Sequence, residues 1–163
     1  MSDFEALKNI RLLSLDVDGV LTDGGLYYTG NGDIMRKFNA KDGMGIARLI
    51  KTTDITVTII SSGMSAGIME RAERLGIPHA FTNVDDKLQT LTKLANELGI
   101  DLTEVAHMGD DINDLELMES VGLSIAVHDA VDAVLEKADI ITKKTGGNGA
   151  VREICDQLMA IRD

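Results

Sequence analysis

An α/β fold, a parallel sheet flanked by helices, is predicted by two features of the sequence. Apolar runs of strand length alternate with segments of helical period along nearly the whole chain. That order builds a parallel sheet covered by helices on both faces. Glycines also follow the helical segments, where C-terminal caps are expected.

The first run, IRLLSL (Ile10 to Leu15), reads as a strand. GLYYTGNGDIMRKFN then breaks the alternation: Tyr27-Tyr28 and Ile34 to Phe38 flank the Gly- and Asn-rich turn TGNGD, the pattern of a β-hairpin. It is inserted directly after the first strand. GMGIARLIK carries Ile46, Leu49 and Ile50 on one helical face. ITVTII (Ile55 to Ile60) is a second buried strand, and SAGIMERAERLG a helix ended by Gly76. HAF is a short strand. KLQTLTKLANELG is a helix with Leu88, Leu91, Leu94, Ala95 and Leu98 in phase and Gly99 as its stop. VAHMG is a strand, DLELMESVG a helix, LSIAV and ADIIT strands, and NGAVREICDQLMAI the last helix. The whole reads as a Rossmann-like sheet with an inserted hairpin. No inserted block is long enough to form a cap domain.

The length of 163 residues predicts a single domain spanning 1–163. Hydrophobic residues make up 44% and aromatics 3%, so the core is built from Ile, Leu, Val, Met and Ala. A formal net charge of −11 argues against nucleic acid or an anionic membrane as partner, since both need basic surface. Cys155 is the one cysteine, which rules out an internal disulfide framework and fits a reducing compartment. No run approaches the length of a membrane span, and the N-terminal MSDFEALKN lacks the basic and apolar regions of a signal peptide. A cytoplasmic location is expected.

In open α/β sheets, ligands bind beyond the carboxyl ends of the strands. The polar residues following each predicted strand therefore form the candidate site. Asp16 and Asp18 follow the first strand; Ser61, with Ser62 beside it, follows the second. Lys87 opens the helix after the third. Asp110, Asp111 and Asp114 follow the fourth. Clustered carboxylates repel one another unless a cation neutralises them. Oxygen-only ligands point to a hard metal, and Mg²⁺ is held by one or two carboxylates together with substrate phosphate oxygens. Lys87 and Ser61 suit a phosphoryl group, whose transfer is mostly positioning and charge neutralisation. A carboxylate can itself be the nucleophile.

These residues lie in DVDGVLTDG, at Ser61, at Lys87 and in GDDIND. In order and spacing they resemble the four motifs of the haloacid dehalogenase-like phosphatases, over almost the whole chain. The hairpin, KFNAKDGMGI, RAERLGI and GGNGAVRE are similar to marks of the small capless branch that includes the 3-deoxy-D-manno-octulosonate 8-phosphate phosphatases and the nonulosonate 9-phosphate phosphatases. The resemblance implies that Asp16 is the nucleophile and a metal ligand. It implies that Asp18 binds the metal through its carbonyl and acts as general acid, then base. Asp110 would be the second carboxylate ligand, and Asp114 or Asp111 would hold metal-bound water or orient Lys87. The implied cofactor is Mg²⁺. The implied substrate is a small-molecule acidic keto-sugar phosphate, 3-deoxy-D-manno-octulosonate 8-phosphate, with a nonulosonate 9-phosphate as the alternative. The setting implied is lipopolysaccharide biosynthesis. A homotetramer is also implied, its hairpins at the centre and GGNGAVRE, with Gly147 and Arg152, closing a neighbour's site.

One departure bears on the sugar. The branch usually carries TGR at the second motif, with the Arg near the substrate. Here the stretch is SSGMS, with Gly63 in place of that Arg. Arg71 or Arg152 is then the candidate for the substrate carboxylate; the plain reading of Arg71 is a surface helix arginine. His79, His107 and His128 are scattered and read as structural or surface residues. GGNGAVRE lacks the third glycine of a dinucleotide loop. A receiver domain fits poorly, because Asp54 begins a strand instead of ending one. A non-catalytic assembly domain associated with a sugar-nucleotide synthetase is the rival from another class. Retention of all the motif acids favours an enzyme.

Overall fold

The computed structural model describes residues 3–64 and 66–162. Strand β1 (Leu12–Leu15) is buried on both faces, which is why its sequence shows no polar alternation. It lies between β4 (Thr56–Ile60) and β6 (Val105–Gly109), with Leu13 opposite both Val57 and Ala106. β5 (His79–Phe81), β7 (Leu123–Ala126) and β8 (Ile140–Ile141) complete a six-stranded parallel sheet of order β5-β4-β1-β6-β7-β8. The chain leaves β1 towards β4 and β5, then crosses back to β6. A crevice therefore opens at the carboxyl ends of β4, β1 and β6.

Helices cover both faces, as predicted. On one face Ile46 and Leu49 of α2 (Ala40–Thr52), with Ile154 and Leu158 of α7 (Ala150–Ala160), pack on Leu13, Leu15, Val57 and Ile59. On the other, Leu91, Leu94 and Ala95 of α4 (Lys87–Leu98) pack on Leu12, Ile60 and Val105. α3 (Ala66–Leu75) buries Ile68 and Ala72, and the following Gly76 sits at φ 73. Gly99 caps α4 at φ 65, the left-handed conformation that glycine adopts without a Cβ clash.

The structure adds to and trims the sequence reading. α1 (Asp3–Lys8) was not anticipated, nor was the short α6 (Asp132–Leu135) between β7 and β8. The helix expected over DLELMESVG shrinks to α5 (Leu115–Met118), preceded by a tight turn over Ile112–Asp114. Gly122 ends the segment against Thr103, whose carbonyl would lie 1.9 Å from any Cβ at that position. In the hairpin, β2 (Tyr27–Tyr28) pairs antiparallel with β3 (Ile34–Met35), and a further bridge joins Thr22 to Phe38. The second arm pairs with β2 over Ile34–Met35 only, shorter than Ile34 to Phe38, because Phe38 is bridged to Thr22. No described helix is long and apolar enough to cross a membrane.

Candidate active site

The chain turns sharply as it leaves β1. Asp16 is the first residue past the strand, its N–H held by the Met108 carbonyl at 3.1 Å. Gly19 then takes φ 87. A Cβ there would fall 1.9 Å from Asp110 Oδ2, so the glycine is what admits the Asp110 carboxyl to the turn. The result is a cleft of about 220 Å³ lined by Asp16, Asp18, Gly24, Ser61, Ser62, Gly63, Asp110, Asp111 and Asn113. A larger cavity of about 1120 Å³ lies at the amino ends of the strands, where Arg11 pairs with Glu104 and Arg162 with Asp54. The acids gathered from several strand ends are in the smaller cleft.

Lys87 is buried at the start of α4. Its Nζ lies 3.0 Å from Asp16 Oδ1 and 2.7 Å from Asp114 Oδ1. A lysine in the first turn of a helix opposes the helix dipole. Burial also pulls its pKa down, but the two carboxylates outweigh that and hold it above the usual lysine range. Asp114 accepts on every side. Oδ1 receives Lys87 and His107 Nε2 (3.0 Å); Oδ2 receives the N–H groups of Asp110 (3.0 Å) and Asp111 (3.5 Å). Burial alone would raise its pKa; the hydrogen bond and charge of His107, then Lys87, drive it well below the carboxylate range. Asp114 is thus an orienting anion with little lone-pair capacity to spare.

Asp16 and Asp110 are different. Burial, then the charge of Asp114, pushes Asp16 up to about 6 despite Lys87. Burial, then Asp16, Asp114 and Asp111, pushes Asp110 up to about 8. Carboxylate oxygens of Asp16, Asp110 and Asp114 lie within 4.8 Å of one another. Two under-neutralised acids facing each other fit a hard divalent cation. With Asp114 occupied by its own donors, Asp16 and Asp110 are the carboxylates of this cluster left free to meet one.

Ser61 is buried, and its Oγ accepts the Gly63 N–H at 3.1 Å. Ser62 is exposed and meets Asn113 at 3.5 Å. Arg71, Gly147 and Arg152 do not line the cleft of this chain. Arg71 donates to the Asn39 carbonyl at 3.1 Å and lies over the Phe38 ring. Gly147 donates to the Val20 carbonyl at 3.0 Å, bracing the turn after β1 from behind. Arg152 pairs with Asp156 on its own helix at 2.8 Å.

Two residues of the site were not assigned to it from the sequence: Arg36, and His107, which reads there as structural or surface. His107 lies in β6, bridging Ser14 Oγ (2.9 Å) to Asp114 beneath the cleft. Arg36 reaches in from the hairpin to grip Asp18, at 2.6 Å from Nε to Oδ1. A two-residue period does mark Arg36: it shares the inward side with Ile34 and Phe38, while Met35 and Lys37 are exposed.

Residues 79–154 match the haloacid dehalogenase-like hydrolase family. The chain is 45% identical over 152 residues to the 3-deoxy-D-manno-octulosonate 8-phosphate phosphatase of Escherichia coli K12, covering 93% of this chain and 80% of that protein. The crystal structure of the Yersinia pestis phosphatase of the same name superposes with a TM-score of 0.95 at 42% identity, covering 98% of this chain and 86% of that one. The Moraxella catarrhalis phosphatase of that name, crystallised with magnesium ion, phosphate ion and KDO, superposes with a TM-score of 0.93 at 39% identity, covering 97% of this chain and 90% of that one.

Proposed function

The chain belongs to the haloacid dehalogenase-like hydrolases, among the 3-deoxy-D-manno-octulosonate 8-phosphate phosphatases, and from that premise we propose how its residues carry the reaction. It is a Mg²⁺-dependent phosphomonoesterase that works through an aspartyl-phosphate, releasing free sugar and phosphate. The observation that carries the residue assignment is the placing of Asp16 at the cleft, its Oδ1 pinned by Lys87 at 3.0 Å and its carboxylate oxygens within 4.8 Å of those of Asp110 and Asp114.

In this reading Asp16 attacks phosphorus, and the bond from phosphorus to the sugar oxygen breaks. Asp18 gives its proton to that oxygen as it leaves. In the second half-reaction Asp18 takes a proton from the attacking water, the Asp16–phosphorus bond breaks, and inorganic phosphate departs. Lys87 and the Ser61 hydroxyl hold phosphoryl oxygens; Asp114, held by its three other donors, fixes Lys87. Asp16, Asp110 and the Asp18 carbonyl would hold the cation, which would supply charge neutralisation for the phosphoryl oxygens.

The whole chain acts as one catalytic domain, in the cytoplasm, where the buried Cys155 thiol, pushed up to about 12 by burial, stays reduced and inert. The acidic end of the sugar needs a cationic partner, and the single chain brings neither Arg71 nor Arg152 to the cleft. The reading therefore gives their contacts, and that of Gly147, to a site shared with a neighbouring copy. A homotetramer built on the hairpins provides one. Turnover of 3-deoxy-D-manno-octulosonate 8-phosphate, a nonulosonate 9-phosphate and glucose 6-phosphate, with Mg²⁺ and with EDTA, tests the reading. Preference for the octulosonate and silence in EDTA are expected. Equal turnover of glucose 6-phosphate would remove the substrate class.

A further inference from the structure

Arg36 follows β3, and its side chain is 3% exposed although it sits on an otherwise solvated hairpin. Its guanidinium forks Asp18, with Nε 2.6 Å from Oδ1 and Nη2 3.1 Å from Oδ2. The third nitrogen, Nη1, is buried and has no hydrogen-bond partner among the described residues. A buried cation with an idle donor is costly, so the fork on Asp18 is the contact that explains its position. Asp18 lines the cleft and Arg36 does not, so Arg36 acts through Asp18 and not on the substrate. The opposite wall confirms the fit: a Cβ at Gly63 would come 2.7 Å from Arg36 Nη2 and 3.1 Å from Asp18 Oδ2. The missing side chain at Gly63 is the space the guanidinium occupies.

We propose that Arg36 is a positioning residue that fixes the Asp18 carboxyl for the proton transfers of the proposed reaction, with Gly63 holding the space open. A two-point fork sets both the plane and the rotation of a carboxylate, which an ammonium cannot do. The hairpin thereby becomes part of the catalytic apparatus. The inference rests on the reading of Asp18 as acid and base.

The leaving group provides the test. A sugar alkoxide must be protonated as it departs, whereas p-nitrophenolate leaves without a proton. Single-turnover formation of the aspartyl-phosphate is measured with both esters. Arg36→Met should slow the sugar phosphate by about a hundredfold, the scale of a general-acid contribution, and p-nitrophenyl phosphate much less. Arg36→Lys should recover part of the loss. Gly63→Ala crowds the guanidinium without changing any charge, and should show the same bias in a fold left intact. Equal slowing of both esters, or no slowing in either Arg36→Met or Gly63→Ala, overturns the proposal. Asp18→Asn separates the two layers: if it lacks the leaving-group bias, the acid assignment falls and the inference with it. If it shows the bias and Arg36→Met does not, the Arg36 inference alone is overturned.

Discussion

Asp110 and Asp16 hold protons more tightly in the fold than in an unfolded chain, where both titrate near 3.8. Between that value and about 8 the folded state carries the extra protons. Stability of the metal-free protein must then fall as pH rises through this window and level off above it. A divalent cation takes the protons' place. Mg²⁺ should therefore raise the melting temperature most at pH 8 and least near pH 5, and its apparent affinity should weaken on acidification. Thermal melts with and without Mg²⁺ at three pH values check this; a Mg²⁺ shift independent of pH would contradict it. At the same scale, Asp16→Asn should abolish turnover and leave the circular dichroism spectrum unchanged, because an amide keeps the shape but cannot attack phosphorus. Near-normal turnover in that variant would sink the nucleophile assignment.

Between elements, the telling contact is Asp42 of α2 with the start of α7. The first residues of α7 follow Gly149, which sits at φ 105 and has no side chain to cap them. Asp42 does so from another helix: Oδ1 accepts the Arg152 N–H at 2.9 Å and Oδ2 the Gly149 N–H at 3.4 Å. Asp42 is 1% exposed, so the N–H groups it serves have no water to replace it. Asp42→Ala should cost about 1–3 kcal/mol, read by urea denaturation. It should also lower activity, since Gly147 in the same segment supports the turn that carries Asp18 and Gly19. Wild-type stability in Asp42→Ala would mean α7 is capped otherwise.

For the molecule as a whole, the hairpin exposes Tyr27 (55%), Tyr28 (67%) and Met35 (57%) together, an apolar edge on a chain of net charge −11. Unpaired strand edges of this kind invite pairing with further copies. The double substitution Tyr27→Asp and Tyr28→Asp should yield monomers by light scattering. Those monomers should keep turnover of p-nitrophenyl phosphate and lose preference for the acidic sugar. An assembly of unchanged size would place the interface elsewhere.

Local pattern was enough for β1, β4 and β6, whose short, mostly apolar runs read as buried strands, and for the acids that follow them, because a parallel sheet delivers every strand end to one rim. It was enough also for Gly76 and Gly99, whose left-handed turns follow from the missing Cβ. It was not enough where a residue takes its role from a partner distant along the chain. Arg36 is defined by Asp18 and by the space at Gly63, His107 by Ser14 and Asp114, and Asp42 by the amides of Gly149 and Arg152. The helix expected over DLELMESVG closes at Met118, and Gly122 beyond it donates to the Leu102 carbonyl at 2.8 Å, a contact across the fold that helical periodicity does not report. Periodicity and spacing report which face a residue turns inward, whereas the identity of what waits there is set by the packing of segments that are neighbours only once the chain has folded.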